Sequence, residues 1–458
     1  MKKTFGILMA MAAGAALAQP EVTNVRLSRG AMNDPVVITY HLSEPAVVLV
    51  DILTNGVSVG SDALTAMKGD AGHLVAAGNR KATWLARKAG LPKNVEDGSV
   101  KVTAKVQAWS RYSPPDYLVV DLTQPSNFTY YATAEAIPGG IQADVNKTDR
   151  MIFRKIPAAG ETMVLGCGKN EMQQPVSGLG RRKAFDVHKI RTTDDKDSDW
   201  TEKDGYTITG EHLAHPMGFT NDYYLAIYEC TQGQWLKLFG GDENPWGSTN
   251  CRYTEYEDSA KRPVTGRRYI DLRGNAIEGD RAHWPTDGHY VAASSQLQRF
   301  RSWTGLLYDL PTEAQWEFAA RAGITTLWPS GNAFLFEEDV SKYAWNADNW
   351  QDDPVVAAAG TNQTHAVGQL KPNAFGLYDM LGNVWEYCRD GFSVYNRELA
   401  IASAPRIGYD ERIDPLATKY TYEDTLRYHI LYYHYSIRGG AFDCRANLCR
   451  EAERRAGF

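Results

Sequence analysis

The chain has 458 residues, 43% of them hydrophobic and 23% charged, which is too long for one hydrophobic core and suits two domains or three small ones. Acidic residues outnumber basic ones, 55 to 49, and this balance argues against nucleic acid or an anionic membrane surface as a partner. Beyond the N-terminus no stretch approaches the ~20 apolar residues of a membrane-spanning helix, so we expect no membrane span.

The first residues have the pattern of a secretory signal peptide. Lys2 and Lys3 precede a run of apolar or small residues that ends at Leu17, and Ala16–Ala18 has the A-x-A form of a cleavage site. A short membrane anchor is the alternative, but the run is too short to cross a bilayer. We therefore expect a signal peptide over residues 1–18 and a secreted or periplasmic bacterial protein.

Residues 19–122 predict an N-terminal all-β sandwich of immunoglobulin or fibronectin type III character. Apolar and polar residues alternate over 100–108, as in a half-buried strand, and Val36–Leu42 and Val47–Leu53 are β-branched runs. No catalytic pattern occurs there, which favours a spacer or adhesive module. The polar segment 123–160 contains Pro and Gly and predicts a linker.

The remaining region, 161–458, is rich in Trp, Gly, Asn and Pro, and only two helices can be predicted in it. Thr231 and Gln234 have the spacing of a capping box, and Thr312 and Gln315 repeat it. Apolar residues at helical spacing follow both pairs. Two capped helices in an otherwise irregular chain indicate one large α+β domain.

Four ordered segments of this region resemble the formylglycine-generating enzyme (sulfatase-modifying factor) family. They are Tyr224–Trp235, Leu310–Arg321, Asn373–Tyr387, which contains Gly-Asn-x-Trp-Glu, and Arg438–Gly440. The resemblance implies a C-type-lectin-like α+β fold that is rich in loops and has few helices. The family includes formylglycine generators, iron-dependent sulfoxide synthases and members without a known reaction, so membership alone does not decide activity.

The resemblance also implies a copper site at Cys444 and Cys449. In the family's active enzymes, two cysteines five positions apart follow the Gly-Gly turn and bind Cu(I), which activates O2 to oxidise a substrate cysteine to formylglycine. Both cysteines stand at the matching distances from Gly439 and Gly440. Two thiolates favour Cu(I) over hard cations, and Arg450 is a candidate to keep them ionised.

The implied partner of such a site is a cysteine-containing, sulfatase-like polypeptide. Two alternatives stay open for the pair, because Cys444 and Cys449 can also form a disulfide or remain as separate thiols. The same motifs place Trp385 near the family's active site, although a tryptophan at this position fits a role in the core equally well.

Three features depart from the active members of the family. Ala441 replaces a serine whose hydroxyl lines the active site, and Asp443 puts a carboxylate beside Cys444. The chain also stops at Phe458, where active members continue, so its end is either compressed or truncated. These departures support a second hypothesis, a non-catalytic C-type-lectin-like module that binds a glycan or a protein.

A calcium site is implied on the Gly-Asn-x-Trp-Glu segment. Its ligands would be the side chains of Asp379 and Glu386 and the carbonyl groups of Gly382 and Val384. Hard oxygen ligands on a tight turn are what Ca²⁺ requires. A turn closed by hydrogen bonds alone is the alternative, and a second, weaker match to a family calcium site falls at 346–349.

A third hypothesis is an iron enzyme of the sulfoxide-synthase kind, but the chain lacks the His-x-x-x-His-x-Glu helix of those proteins. His212 and His215, and likewise His429 and His434, have no accompanying carboxylate motif, and ordinary roles are favoured for them. Residues 391–436 form a long insertion with a Tyr- and His-rich end. This insertion either shapes specificity or is a folded surface excursion.

Overall fold

The computed structural model of the protein describes residues 19–29, 34–86, 100–124, 127–166, 215–240, 258–274, 291–326, 328–329, 340–360, 363–391, 435–444, 446, 449–452 and 454–457. The chain divides into two compact units, Met1–Pro115 with Thr129–Gly140 and Asp116–Phe128 with Ile141–Phe458. The expected signal peptide lies outside the described residues, as does most of the insertion. Among the described residues, no helix is long and apolar enough to cross a membrane.

The first unit is built almost entirely from β-strands. Its described elements are β1 (Val22–Ser28), β2 (Val36–Leu42), β3 (Ala46–Thr54), β4 (Val57–Ser58), α1 (Ser61–Leu64), β5 (Met67–Gly69), β6 (His73–Val75), β7 (Gly78–Trp84) and β8 (Val102–Ser110). One sheet has the strand order β1-β2-β7-β5, and in the other β3 pairs with β4, β6 and β8. The two sheets share one core, as predicted for a sandwich.

Alternation along the strands builds that core. In β2 every second side chain is buried, from Val36 to Leu42, and Val48 and Ile52 of β3 belong to the same cluster. Period-2 burial is what the β-branched runs predict. The largest buried ring of this unit, Trp84, donates its indole N–H to the Ala63 carbonyl oxygen over 2.9 Å.

The second unit has short strands and few helices. Its described strands are β9 (Tyr117–Asp121), β10 (Phe128–Tyr131, which crosses the sequence border between the units), β11 (Arg150–Ile156), β12 (Thr162–Leu165), β13 (His215–Gly218), β14 (Tyr223–Ala226), β15 (Ala344–Trp345), β16 (Leu381–Gly382), β17 (Glu386–Gly391), β18 (Tyr435–Arg438) and β19 (Arg454–Gly457). Its described α-helices are α2 (Val145–Thr148), α3 (Gln232–Phe239), α4 (Tyr269–Arg273), α5 (Gln296–Thr304), α6 (Glu313–Arg321) and α7 (Pro354–Ala359). Short 3-10 helices occupy Ser259–Lys261 and Trp350–Asp352, and another, Ala134–Ala136, belongs to the first unit.

The sheets of this unit are small. Strand β11 pairs antiparallel with β9 and β14, β12 with β13, and β18 with β17 and β19, whereas β15 and β16 are parallel. Segment 123–160 differs from the linker that its composition predicts. It contains α2 and β11. Strand β11 is paired on both sides, and the consecutive residues Met151, Ile152 and Phe153 are buried, so both of its faces are covered.

Both predicted capping boxes are formed. Thr231 accepts from the Gln234 backbone N–H over 3.2 Å while the Gln234 side chain accepts from Thr231 N–H over 2.9 Å. Thr312 and Gln315 make the same reciprocal pair over 3.1 and 2.9 Å. Each box satisfies two N–H groups that a helix start would otherwise leave unpaired, which fixes where α3 and α6 begin.

Candidate functional site

The Gly-Asn-x-Trp-Glu motif and the Gly-Gly motif meet through their backbones. Gly382 N–H donates to the Gly439 carbonyl oxygen over 2.9 Å, and Phe442 N–H donates to the Asn383 carbonyl oxygen over 2.8 Å. Two motifs from separate parts of the sequence therefore form one site. We call Met380–Val384 the asparagine turn and Gly439–Cys444 the cysteine loop.

Glycine is needed where these two segments touch. A Cβ on Gly382 would lie 2.1 Å from the Trp345 carbonyl oxygen, and the residue has φ 77°. A Cβ on Gly439 would lie 2.9 Å from the Met380 carbonyl oxygen and 3.2 Å from the Trp316 ring, at φ 93°. Both positions combine a left-handed backbone with a close approach that a side chain would block.

Helix α6 contacts both motifs through the side chains of Trp316 and Glu317. Trp316 is fully buried and donates its indole N–H to a carboxylate oxygen of Glu386 over 3.1 Å. The next residue, Glu317, binds the guanidinium group of Arg438, the residue that opens the Arg-Gly-Gly motif. Both members of this ion pair are fully buried, so the cysteine loop starts from a fixed point.

Three carboxyl groups surround the asparagine turn, those of Asp379, Glu386 and Glu229. Burial raises the pKa of Asp379 to about 6, opposed by the hydrogen bond from Gly368 N–H and by the positive charge of Lys147. Burial raises the pKa of Glu386 to about 7, opposed by the Trp316 hydrogen bond and helped by Asp379. Burial first, and then the charges of Asp379 and Glu386, raise the pKa of Glu229 well above its ordinary value. Negative charge is costly in this cluster unless a cation neutralises it.

Glu229 is a residue that the sequence analysis missed. Its two carboxylate oxygens accept from the Asn383 side-chain amide over 2.7 Å and from Val384 N–H over 3.1 Å. Only 8% of the residue is exposed. The available signal was a charged residue that follows the apolar run Leu225–Tyr228 and lies two residues before the helix cap Thr231.

The predicted calcium ligands Asp379 and Glu386 are therefore close enough to influence each other. Oδ2 of Asp379 accepts from Gly368 N–H over 2.7 Å, but its Oδ1 is buried and has no hydrogen-bond partner. A hard cation would satisfy that oxygen, and carboxylate and carbonyl oxygens are the ligands that Ca²⁺ prefers. In the described part of the chain, no three His, Cys, Asp or Glu side chains converge as a metal site, so carbonyl groups such as those of Gly382 and Val384 would have to complete it.

The weaker calcium match at 346–349 is a hydrogen-bonded turn. Asn346 Oδ1 accepts from Asp348 N–H and Asn349 Oδ1 accepts from Asn346 N–H, each over 2.8 Å. The Asp348 carboxylate accepts from Ala446 N–H over 3.2 Å, and Ala347 N–H donates to the Cys444 carbonyl oxygen over 2.8 Å. These groups close the turn and brace the segment that carries the cysteines.

Cys444 and Cys449 are both buried, with 8% and 0% of their surface exposed. The structure records both as thiols outside any disulfide. Cys444 N–H donates to the Ala441 carbonyl oxygen over 2.9 Å, and Cys449 N–H donates to the Ala446 carbonyl oxygen over 3.1 Å. Each thiol thus sits on a turn with a fixed backbone.

The other residues predicted around the pair have mixed surroundings. Ala441 and Arg450 are buried, whereas Trp385 is half-buried. Asp443 is exposed, and its Oδ1 lies 3.8 Å from the Cys444 sulfur, as its position in the sequence led us to expect.

Among the histidines singled out in the sequence, His212, His429 and His434 lie outside the described residues, and His215 opens β13. The structure draws attention to another one, His365, which is fully buried and stacked on Trp345 with ring centroids 4.0 Å apart. Its Nδ1 lies 3.0 Å from the Asp353 carboxylate, and its Nε2 is buried without a hydrogen-bond partner. Burial lowers the pKa of His365, opposed by Asp353.

Comparisons with known proteins agree with the motifs. The model of the sulfatase-modifying factor enzyme 1-like domain matches residues 147–457. The chain is 38% identical over 154 residues to a formylglycine-generating enzyme from Thermomonospora curvata, which covers 33% of this chain and 43% of the relative. It is 29% identical over 190 residues to the chaperone protein LppX of Paenibacillus barcinonensis, covering 37% and 62% respectively.

The chain thus spans less than two thirds of the length of either of these curated relatives. Among solved structures, Treponema denticola variable protein 1 aligns with 67% of this chain and 90% of its own, at 20% identity and a TM-score of 0.38. The family model covers most of the chain, including the asparagine turn and the cysteine loop. The protein belongs to the formylglycine-generating enzyme (sulfatase-modifying factor) family.

Proposed function

We propose that the second unit oxidises a cysteine side chain of a sulfatase-like polypeptide to formylglycine, with Cys444 and Cys449 holding Cu(I). The observation that carries this proposal is the joining of the cysteine loop to the asparagine turn through Phe442 and Asn383. That contact braces the backbone that leads to Cys444, and the hydrogen bond from Cys449 N–H to the Ala446 carbonyl oxygen holds the backbone at Cys449. A rigid frame is what a metal site built from only two protein ligands needs.

The two soft sulfur ligands select Cu(I), and the bound metal would supply the activation of O2. The balanced reaction takes one cysteine thiol, O2, two protons and two electrons to an aldehyde, hydrogen sulfide and water. The two electrons come from an external thiol reductant. Burial of Cys444 and Cys449 keeps bulk water away from their sulfurs, and Arg450 is the candidate to favour their ionised form.

Calcium is proposed to support this site rather than to take part in it. Asp379 and Glu386, with the carbonyl groups of Gly382 and Val384, would hold the ion. Their role is to fix the asparagine turn, on which the cysteine loop rests. The unpartnered Asp379 Oδ1 supports this assignment.

The test is a Cu(I) titration of the purified protein beside Cys444→Ser and Cys449→Ser. Cys230→Ser is the matched control, because burial raises the pKa of the Cys230 thiol to about 12 and keeps it protonated. We expect one tight Cu(I) site in the parent and the control, and its loss in both pair variants. O2 uptake with a Cys-x-Pro-x-Arg peptide should follow the same pattern. A parent protein that binds no Cu(I) and consumes no O2 would exclude the oxidase.

A second candidate is a binding module for a glycan or a protein. Ala441 favours it, since this buried position lacks the serine hydroxyl that active relatives present to the site. The similarity to a protein named as a chaperone is also compatible with polypeptide binding. Peptide binding without O2 uptake would support this candidate.

We also propose export from the cytoplasm, on the pattern at residues 1–18 alone. Mass determination of the mature N-terminus after expression with and without an export pathway tests it. A mature chain that retains Met1–Ala18 would contradict the proposal.

A further inference from the structure

The contacts of Glu229 reach further than the asparagine turn itself. We propose that Glu229 is a positioning residue that holds Asn383 and, through Asn383, sets the place of the cysteine loop. The proposal rests on the proposed function, because the loop matters for chemistry only if it carries the copper pair. Nothing in the motif that contains Asn383 identifies Glu229, which lies 154 positions away.

The first step is the pair of hydrogen bonds that Glu229 accepts from the asparagine turn. One carboxylate oxygen accepts a hydrogen bond from the Asn383 side-chain amide, and the other accepts one from Val384 N–H. The carboxylate therefore binds two consecutive residues. A carboxylate can accept both bonds at once. A glutamine of the same size offers one oxygen and would point an N–H at one of these donors. Glu229→Gln therefore breaks one contact with little change in volume.

The second step is that Asn383 is held on every polar side. Its backbone N–H donates to the Trp345 carbonyl oxygen over 2.9 Å, and its side chain accepts from His365 N–H over 2.9 Å and donates to the His365 carbonyl oxygen over 3.2 Å. It has φ 55°, in the left-handed region. The direction of its carbonyl group is set by these contacts.

The third step runs from that carbonyl group to the thiol. The Asn383 carbonyl oxygen receives Phe442 N–H, and Cys444 lies two residues farther along the loop. The turn between them is closed by Cys444 N–H on the Ala441 carbonyl oxygen. Because Phe442 lies inside the turn that this bond closes, we expect a displaced Phe442 to move Cys444 as well. Rotation of Asn383 would therefore change the geometry of the cysteine pair.

The test uses full-length protein with Glu229→Gln, Asn383→Gly and the double variant. Glycine at 383 removes the side chain but keeps the left-handed backbone accessible. Ser295→Ala is the control for a general loss of stability, because Ser295 caps α5 through Gln298 N–H, outside the asparagine turn and the cysteine loop. The readouts are the rate at which iodoacetamide alkylates Cys444 in metal-free protein, resolved by peptide mass, and the Cu(I) affinity.

We expect Glu229→Gln to change the alkylation rate of Cys444 and to weaken Cu(I) binding by about 10-fold, the lower range for supporting residues around a metal site. In the Asn383→Gly background, Glu229→Gln should change the logarithms of the alkylation rate and of the Cu(I) affinity by less than half as much. The reason is that the contact between Glu229 and the Asn383 side chain is already absent there. Equal behaviour of Glu229→Gln and Ser295→Ala, or full additivity in the double variant, would overturn the proposal.

Failure of the proposed function gives a different result. A parent protein without Cu(I) binding excludes the copper pair, yet the alkylation rates and the double-mutant cycle still decide whether Glu229 sets the position of Cys444.

Discussion

Phe442 N–H donates to the Asn383 carbonyl oxygen over 2.8 Å, so the loop that carries Cys444 is attached to the turn of the Gly-Asn-x-Trp-Glu motif. This bond makes the integrity of the turn a condition for the geometry of the thiols. Small changes in the turn should therefore alter the position of the Cys444 thiol.

Replacing Gly382 by alanine should be among the most damaging single changes in the turn. The new Cβ would lie 2.1 Å from the Trp345 carbonyl oxygen at φ 77°, so strain and overpacking add to about 2–6 kcal/mol of lost stability. Gly360→Ala is the matched control, since Gly360 has φ 71° but nothing within 4 Å of its Cβ position. Urea unfolding should show about 1–2 kcal/mol for this control. Equal losses would show that the contact with Trp345 is not the cause.

Calcium should stabilise the protein more at high pH than at low pH. The pKa values of Asp379 and Glu386 are raised from 3.8 to about 6 and from 4.5 to about 7, so the folded state holds these protons more tightly than the unfolded state. Metal-free stability therefore falls as pH rises from about 4 to about 7. A divalent cation takes over the charge, giving about 2.7 kcal/mol at a 100-fold excess over Kd.

The measurement is the shift of Tm with CaCl2 at pH 5 and pH 8, compared with MgCl2 at the same ionic strength. Asp379→Ala should abolish the calcium-specific part. A shift that is larger at pH 5, or that survives this substitution, would remove Asp379 from the calcium site.

The buried ion pair between Arg438 and Glu317 should be essential for folding of the second unit. Arg438→Met leaves Glu317 without one of its two guanidinium partners, and breaking a buried pair costs about 3–5 kcal/mol. Arg268→Ala provides the contrast, because the Arg268 side chain is 68% exposed in its pair with Asp271 and should change stability little. Denaturant midpoints of both variants check this difference.

His365 should make the protein sensitive to mild acid. Burial lowers its pKa below the ordinary 6.5, so the unfolded state takes up the proton first as pH falls below 6.5. Stability is present above that pH and is lost below it, by at most about 1.4 kcal/mol per pH unit. His365→Gln should flatten the stability profile between pH 7 and pH 5.5. Parallel profiles for the parent and His365→Gln would contradict this assignment.

Local patterns predicted the parts of the fold that local physics decides. The caps at Thr231 and Thr312 are settled within one helical turn, and β2 is settled by alternation along one strand. The roles of Glu229 and His365 were not predicted, because their partners come from elsewhere in the chain, as the contact between Glu229 and Asn383 shows. The prediction of a linker over 123–160 missed β11, because the segment is polar on average although β11 within it is largely apolar and buried.

The two bonds that join the cysteine loop to the asparagine turn use main-chain atoms of Gly439 and Phe442, so they do not depend on the Phe442 side chain. For protein engineering, this means that the attachment of the loop does not depend on which side chains it carries at positions 442 and 443. Libraries that randomise the side chains of Phe442 and Asp443 would leave the anchoring donors and acceptors in place. New reactivity or selectivity can therefore be screened at these two positions without redesigning the frame that holds them.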